Sequence, residues 1–213
     1  MEYCKICFSD LNKKGINGIL CKNTICQNCY NKFPVSFNKR FINGIEVISI
    51  YEYDETMKKL IYQYKGCFDI ELGSVFLERH LLELKIKYKG YVIVPVPSWE
   101  ESNQKRGFNH IVEIFKFIGI PIFPCIKKKY DFKQSNLSKI EREKINQKLV
   151  LEDYKILKNK KVLLVDDVIS TGSSIKACLE LIKKCNPKRI KCLVICGNCR
   201  NMKNFLERKY FRF

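Results

Sequence analysis

No apolar run in this sequence approaches the ~18 residues that a membrane-spanning helix needs. The first residues, Met1-Glu2-Tyr3-Cys4, lack the basic start and apolar stretch of a secretory signal. The thiols are therefore expected to be reduced, metal-bound or packed as small apolar groups rather than bridged. No internal repeat is present. Two nucleotide-binding signatures are missing as well. Nothing matches the Walker loop GxxxxGK(S/T), because no lysine follows Gly172 at that spacing, and GxGxxG does not occur. Arginine is scarce, with 8 residues against 32 lysines.

What is present describes an ordinary globular chain. It has 213 residues, 46% of them apolar and 29% charged. That suffices for one domain, with or without a small appendage, and for a core of normal density. Two quantities stand out: a formal net charge of +18 and 12 cysteines. The charge suits an anionic partner such as nucleic acid, anionic lipid or a phosphorylated ligand. It equally suits AT-rich coding, since lysine, isoleucine, asparagine, tyrosine and phenylalanine are all abundant.

Five cysteines fall in the first 29 residues: Cys4, Cys7, Cys21, Cys26 and Cys29. This segment has little apolar periodicity and reads as a small metal-held module ending near Phe33-Pro34. From Gly44 the texture changes. Residues 45–53 (IEVISIYEY) read as a strand, and Asp54 as the N-cap of a helix carrying Met57, Leu60, Ile61 and Tyr64. A second helical pattern spans residues 70–87. The run 91–97 is a strand ended by prolines, followed by a polar loop over 98–107 and a helix over 109–117. Residues 120–126 are a weaker strand candidate because they hold two prolines. Residues 127–138 read as a polar loop, and a capping box at Ser138 and Glu141 starts a short helix. Residues 161–165 form a continuously apolar strand suited to the centre of a parallel sheet. A helix over 175–184 and a strand over 189–196 follow. Alternating strands and helices predict an α/β fold with a mostly parallel sheet flanked by helices.

The stretch VLLVDDVISTGSSI, residues 162–175, carries the chemistry. A buried strand ends in two carboxylates, and a turn of small residues opens a helix. Ligands of open α/β sheets bind at the carboxyl ends of strands. Ser170, Thr171, Gly172, Ser173 and Ser174 offer backbone N–H groups and hydroxyls at a helix N-terminus, which suit a phosphate. Asp166 and Asp167 would repel a phosphate and suit ribose hydroxyls or Mg²⁺. The combination reads as a sugar-phosphate site.

Cys4-x2-Cys7 and Cys26-x2-Cys29 are two thiolate pairs separated by 18 residues. Four thiolates make a closed tetrahedral zinc site, which is structural rather than catalytic. Cys21 is a fifth thiol that could replace a ligand, and an iron–sulfur cluster is the alternative occupant. Cys196-x2-Cys199 lacks a second pair. Cys196 is read as packed in the core with Cys199 exposed, and Cys67, Cys125 and Cys178 as core cysteines.

The string over 162–175 resembles the 5-phosphoribosyl-1-pyrophosphate (PRPP) motif of type I phosphoribosyltransferases. Other segments resemble one family more closely, the ComF late-competence proteins. VIVPVPSWEESNQKRGFNH (residues 92–110) is similar to that family's VPVP…RGFNQ segment, and YEYDETMKKLIYQYKG (residues 51–66) to the segment preceding its sheet. Gln134, Leu137, Arg142 and Asn146 match a further pattern, and the N-terminal cysteine pairs fit too. The resemblance extends to about Gly197. Two departures are His110, where the family usually has Gln, and a loosely matching basic stretch at 127–131.

This resemblance implies a type I phosphoribosyltransferase-like domain over residues 44–197, with a zinc-binding module over 1–34 and a basic tail over 198–213. By position, Asp166 and Asp167 would hold the ribose hydroxyls with Mg²⁺. Ser170, Thr171, Gly172, Ser173 and Ser174 would hold the 5′-phosphate, and Arg106 and Lys65 the pyrophosphate. It implies a cytoplasmic protein of natural transformation that binds PRPP and handles incoming single-stranded DNA; a third possibility is a zinc-mediated adaptor for a DNA helicase of the competence machinery. Aromatic–basic clusters at residues 32–41 and 209–213 could stack on bases. The alternative is an active phosphoribosyltransferase in nucleotide salvage, although nothing in the sequence marks a nucleobase pocket.

Overall fold

A computed structural model describes residues 3–11, 24–129 and 148–197. A one-turn helix α1 (Gln27–Tyr30) leads to a hairpin of β1 (Val35–Ile42) and β2 (Ile45–Glu52). Its turn is Asn43-Gly44, with φ of 49° and 77°. Positive φ at both positions is the twist that a two-residue hairpin needs. Strand β1 is an addition to the sequence reading. It lies at the sheet edge and is half-exposed along its length, so it shows no apolar run.

Helix α2 (Glu55–Gly66) starts as expected, with Asp54 Oδ1 accepting from the Met57 N–H at 2.8 Å. Residues 70–87 are not one helix. They form two 3-10 turns (Ile70–Ser74 and Glu78–His80) before the short helix α3 (Leu81–Lys87). Val75, Phe76 and Leu77 are all buried, and three consecutive side chains cannot share one helical face. Strand β3 (Tyr91–Pro95) is buried throughout. The polar stretch after it is not a loop but helix α4 (Glu100–Arg106), which buries no residue and so shows no apolar stripe. Gly107, at φ 81°, ends it. Helix α5 (His110–Phe115) is capped by Asn109, which accepts from Ile111 and Val112 N–H at 3.2 Å.

The weak strand candidate at 120–126 reduces to an isolated bridge between Ile122 and Ile93. Residues 127–129 are not loop. They belong to β4 (Ile126–Lys129), paired with β5 (Lys148–Leu151) in a two-stranded antiparallel ribbon. The segment after β4, including the predicted helix near Ser138, lies outside the described residues, as do Cys21, Cys199 and the tail. Strand β6 (Lys161–Ile169) runs beyond the acid pair, and helix α6 (Ser173–Lys183) and strand β7 (Arg189–Gly197) follow.

The main sheet has the order β1-β2-β7-β6-β3. Only β1 is antiparallel to its neighbour; β2, β7, β6 and β3 run parallel. Val162 to Val165, on β6 between β7 and β3, are almost wholly buried. Helices α2 and α5 are joined by the Tyr64 hydroxyl, which donates to the His110 carbonyl at 2.7 Å. They meet the Asp167 side of β6, whereas α6 contacts the sheet from the Asp166 side. Because β2, β7, β6 and β3 run parallel, their carboxyl ends (Glu52, Gly197, Ile169 and Pro95) share one end of the sheet. No described helix is long and apolar enough to cross a membrane.

Candidate functional site

The two carboxylates at this edge have different surroundings. Asp166 and Asp167 are consecutive in β6, so their side chains leave opposite faces of the sheet. Asp167 is 5% exposed. Its Oδ2 receives Lys65 Nζ at 2.6 Å and lies 3.4 Å from His110 Nε2. Its Oδ1 accepts from the Val168 N–H at 2.8 Å. Burial alone would raise the Asp167 carboxyl, but the His110 hydrogen bond and the Lys65 charge outweigh it. The group is held well below the usual carboxylate range.

Asp166 is half-buried and its Oδ1 accepts from the Asp167 N–H at 2.9 Å. Burial and then the neighbouring Asp167 charge push it well above the ordinary value. Its influence reaches α6. Burial, followed by the Asp166 charge, pushes the Cys178 thiol up to about 12.

After Ile169 the chain turns through Ser170, Thr171 and Gly172 into α6. Ser170, Thr171, Ser173 and Ser174 are exposed, and Gly172 is buried. The Thr171 and Ser173 hydroxyls lie 3.1 Å apart, and Thr171 Oγ1 accepts from the Ser173 N–H at 3.4 Å. Gly172 sits at φ 81° as the N-cap, and a Cβ there would stand 2.5 Å from Ile42 Cδ1. The Ile42 methyl can swing away, so the backbone sets the cost of a side chain. We expect Gly172→Ala to lose about 1–2 kcal/mol of stability in urea titrations.

This turn is braced by a residue that the sequence reading put to another use. Arg40, on β1, donates from Nη2 to the Ile169 carbonyl at 3.0 Å and from Nη1 to the Ser170 carbonyl at 3.1 Å. The Asn43-Gly44 turn was the available signal for the strand that carries it.

Lys65 and Arg106 converge on the same edge from distant parts of the chain. Lys65 stands in the last turn of α2, and Arg106 ends α4 just beyond β3. Arg106 Nε donates to the Lys65 carbonyl at 3.4 Å, and its Nη1 lies 3.0 Å from His110 Nδ1. Its guanidinium also packs over the Phe108 ring at 5.7 Å. Lys65, Asp167, His110 and Arg106 thus form one bonded group, with the Ser170–Gly172 turn continuing the strand that carries Asp167. His110 entered the sequence reading only as a departure from a pattern.

The N-terminal cysteines form a separate centre. The sulfurs of Cys4, Cys7, Cys26 and Cys29 all lie within 4.8 Å of one another. Cys7 and Cys26 Sγ are 3.6 Å apart, near the roughly 3.8 Å edge of a tetrahedron with ~2.3 Å metal–sulfur bonds. Four thiols and no histidine make a closed set that could hold a metal such as zinc. Hydrogen bonds from the Ser9 side chain and backbone lower the exposed Cys7 thiol to about 6, while burial pushes Cys29 up. In metal-free protein Cys7 is therefore expected to alkylate first, and bound metal to protect it. Peptide mapping after iodoacetamide treatment checks this.

The knuckle docks on the 3-10 segment. Lys5 Nζ meets Glu71 at 2.9 Å and Ser74 Oγ at 3.1 Å. The Thr24 N–H donates to Glu78 at 2.9 Å, the Arg79 guanidinium lies 4.6 Å over Tyr30, and Phe33 meets Tyr51 edge-on at 5.3 Å. Among the remaining described cysteines, Cys125, Cys178, Cys185, Cys192 and Cys196 are buried. Cys67 is a correction: it is exposed at the C-cap of α2 rather than packed in the core.

A parallel sheet whose strand ends carry an acid pair and a small-residue turn into a helix defines a class. The chain belongs to the phosphoribosyl transferase domain family, whose model matches residues 104–212. It is homologous to the competence protein ComFC of two bacteria. With that of Streptococcus pneumoniae it is 28% identical over 70% of this chain and 66% of that protein. With that of Bacillus subtilis it is 25% identical over 80% of this chain and 75% of that protein. Among solved structures it is similar to the purine phosphoribosyltransferase from Pyrococcus horikoshii, at 24% identity over 57% of this chain and 73% of that one, with a TM-score of 0.38.

Proposed function

We propose that the strand-end cluster binds PRPP. Carrying this reading is the meeting of Lys65, Arg106 and Asp167, far apart in sequence, beside the Ser170–Ser174 turn. The exposed turn takes the 5′-phosphate through its backbone N–H groups and hydroxyls. Asp166 takes the ribose hydroxyls. Asp167 holds Lys65, which with Arg106 faces the pyrophosphate. Asp166 would hold Mg²⁺, which when bound would supply positive charge to offset the pyrophosphate; a half-buried carboxylate is a suitable oxygen donor. Cys4, Cys7, Cys26 and Cys29 hold structural zinc in a module over 1–34. Residues 44–197 form the sugar-phosphate domain, and 198–213 a basic tail.

The protein serves DNA uptake in the cytoplasm and handles single-stranded DNA. The ComFC homology and the net charge of +18 support this reading. Titration calorimetry of the full chain with PRPP is expected to show Mg²⁺-dependent binding that Asp166→Ala and Ser173→Asp remove. Absence of binding would overturn the sugar-phosphate reading. A salt-independent or absent response to single-stranded DNA would overturn the nucleic-acid part.

One observation favours a second reading, a transferase in nucleobase salvage. An open groove of about 640 Å³ lies beside Lys65, lined by Tyr53, Ile61 and Tyr62 together with the charged Glu55, Lys58 and Lys59. It is large enough for a small aromatic acceptor. Pyrophosphate release that depends on an added nucleobase would establish that reading.

A further inference from the structure

We propose that His110 is a positioning residue that locks Arg106 and Asp167 into one unit, so that the C-terminal end of α4 and the acid end of β6 present a single preset edge to an anionic ligand. The ligand part of this inference rests on the sugar-phosphate reading above; the link itself does not.

The ring is buried, at 4% exposure, and both nitrogens are engaged. Nδ1 lies 3.0 Å from Arg106 Nη1 and 3.4 Å from Ser98 Oγ, and Nε2 lies 3.4 Å from Asp167 Oδ2. A guanidinium only donates and an ionised carboxylate only accepts. Nδ1 must therefore be the acceptor and Nε2 the donor, which selects the neutral Nε2–H tautomer. A ring carrying protons on both nitrogens would set an N–H against the Arg106 N–H. The neutral ring converts the acceptor character of Asp167 into an acceptor for Arg106, joining two groups that lie on different elements.

The backbone beneath the ring is also fixed. Asn109 caps α5 one residue earlier, and the buried Tyr64 hydroxyl holds the His110 carbonyl at 2.7 Å. Lys65, one residue after Tyr64, holds Asp167 from the other side at 2.6 Å and receives Arg106 Nε on its carbonyl at 3.4 Å. The four residues form a closed circuit, in which His110 joins Arg106 to Asp167 through its ring and Lys65 joins them through its carbonyl and its ammonium.

Chemistry chooses the test variants. A glutamine amide carries one acceptor oxygen and a donor NH₂, so it can make both bonds; leucine fills similar space and makes neither. We expect His110→Leu to weaken Mg²⁺–PRPP binding at least about tenfold, and His110→Gln to stay within about threefold of wild type. Equal binding by wild type and the leucine variant overturns the proposal, as does glutamine failing along with leucine while its thermal midpoint is retained.

A measurement on the wild-type chain stands apart from the ligand. The chain has only 2 histidines, so the ¹⁵N ring signals lost in His110→Gln belong to His110. They should show the Nε2–H tautomer at neutral pH, and Arg106→Met should move the Nδ1 signal. An Nδ1–H tautomer, or no response to Arg106→Met, overturns the link. If wild type binds no PRPP, the sugar-phosphate reading falls, and the ring signals still decide whether His110 joins Arg106 to Asp167.

Discussion

Asp167→Ala is expected to destabilise the fold by about 3 kcal/mol, while Asp166→Ala, one residue earlier, costs less than about 1 kcal/mol. The difference follows from what each carboxylate touches. Removing Asp167 leaves the Lys65 ammonium and the His110 N–H without their shared acceptor in a buried setting, and breaking such a pair typically costs ~3–5 kcal/mol. The lower end applies because the Lys65 side chain is 33% exposed and water screens part of the loss. Asp166 is raised above its ordinary value, so at neutral pH its ionised form opposes folding and its removal relieves that cost. The loss of its bond to the Asp167 N–H offsets the gain.

The two carboxylates also differ in sign with pH. Asp167 is depressed, so its stabilisation is present above the ordinary carboxylate range and is lost as pH falls through its folded-state value. The gap between wild type and Asp167→Ala should therefore close in acid. For Asp166 the unfavourable contribution is present at neutral pH and disappears as the group protonates, so Asp166→Ala should compare best with wild type at neutral pH. Urea midpoints of all three chains at neutral and acidic pH check this, with unchanged slopes confirming a stability effect. Equal losses for the two variants would sink the assignment of different roles. On the proposed sugar-phosphate reading both should lose PRPP binding, because Asp166 would contact the sugar and Asp167 holds Lys65.

The acid pair shows where sequence reading stopped. Adjacent aspartates after an apolar run mark the approach to a strand end, and the small residues beyond them a turn into a helix. The reading placed the end of the strand at Val165, which let both acids face one ligand. The strand instead continues to Ile169, pairing Asp166 with Val194 and Ile169 with Gly197. A period of two then sends the acids to opposite faces. Helix α2 was legible because its cap and apolar stripe are local signals. Helix α4 was not, because a helix with no buried residue has no stripe to read. Arg40 could not have been found as a brace for the turn. Its contact with Ile169 and Ser170 spans about 130 residues of sequence and exists only because β1 flanks β2, which pairs with β7. The His110 departure was visible, but its meaning depends on Arg106 and Asp167 arriving from two other elements.

If Cys4, Cys7, Cys26 and Cys29 hold zinc as proposed, chelation is expected to lower the melting temperature by roughly 10 °C while leaving the sheet folded. Structural zinc contributes ~10–16 kcal/mol to isolated finger peptides, which unfold without it. Here zinc bound at these thiols would act locally. Cys4, Ile25, Cys29 and Phe33 are buried in one continuous core with the sheet. The other ties, Lys5 to Glu71 and Arg79 to Tyr30, are partly exposed and contribute at most ~1 kcal/mol each. Without metal, four thiols are left crowded within 4.8 Å and the knuckle loses its centre. The global fold then forfeits chiefly the burial of Phe33 against Tyr51 and its neighbours, about 2–3 kcal/mol. Hydrogen exchange should show residues 24–34 losing protection on chelation while 161–169 keep theirs, and Cys26→Ser should reproduce the effect without chelator. An unchanged melting temperature in chelator, together with no zinc in the purified chain, would remove the metal from this account. Loss of protection throughout 161–169 would show instead that the knuckle and the sheet fold as one cooperative unit, because the core they share would then have no boundary at Pro34.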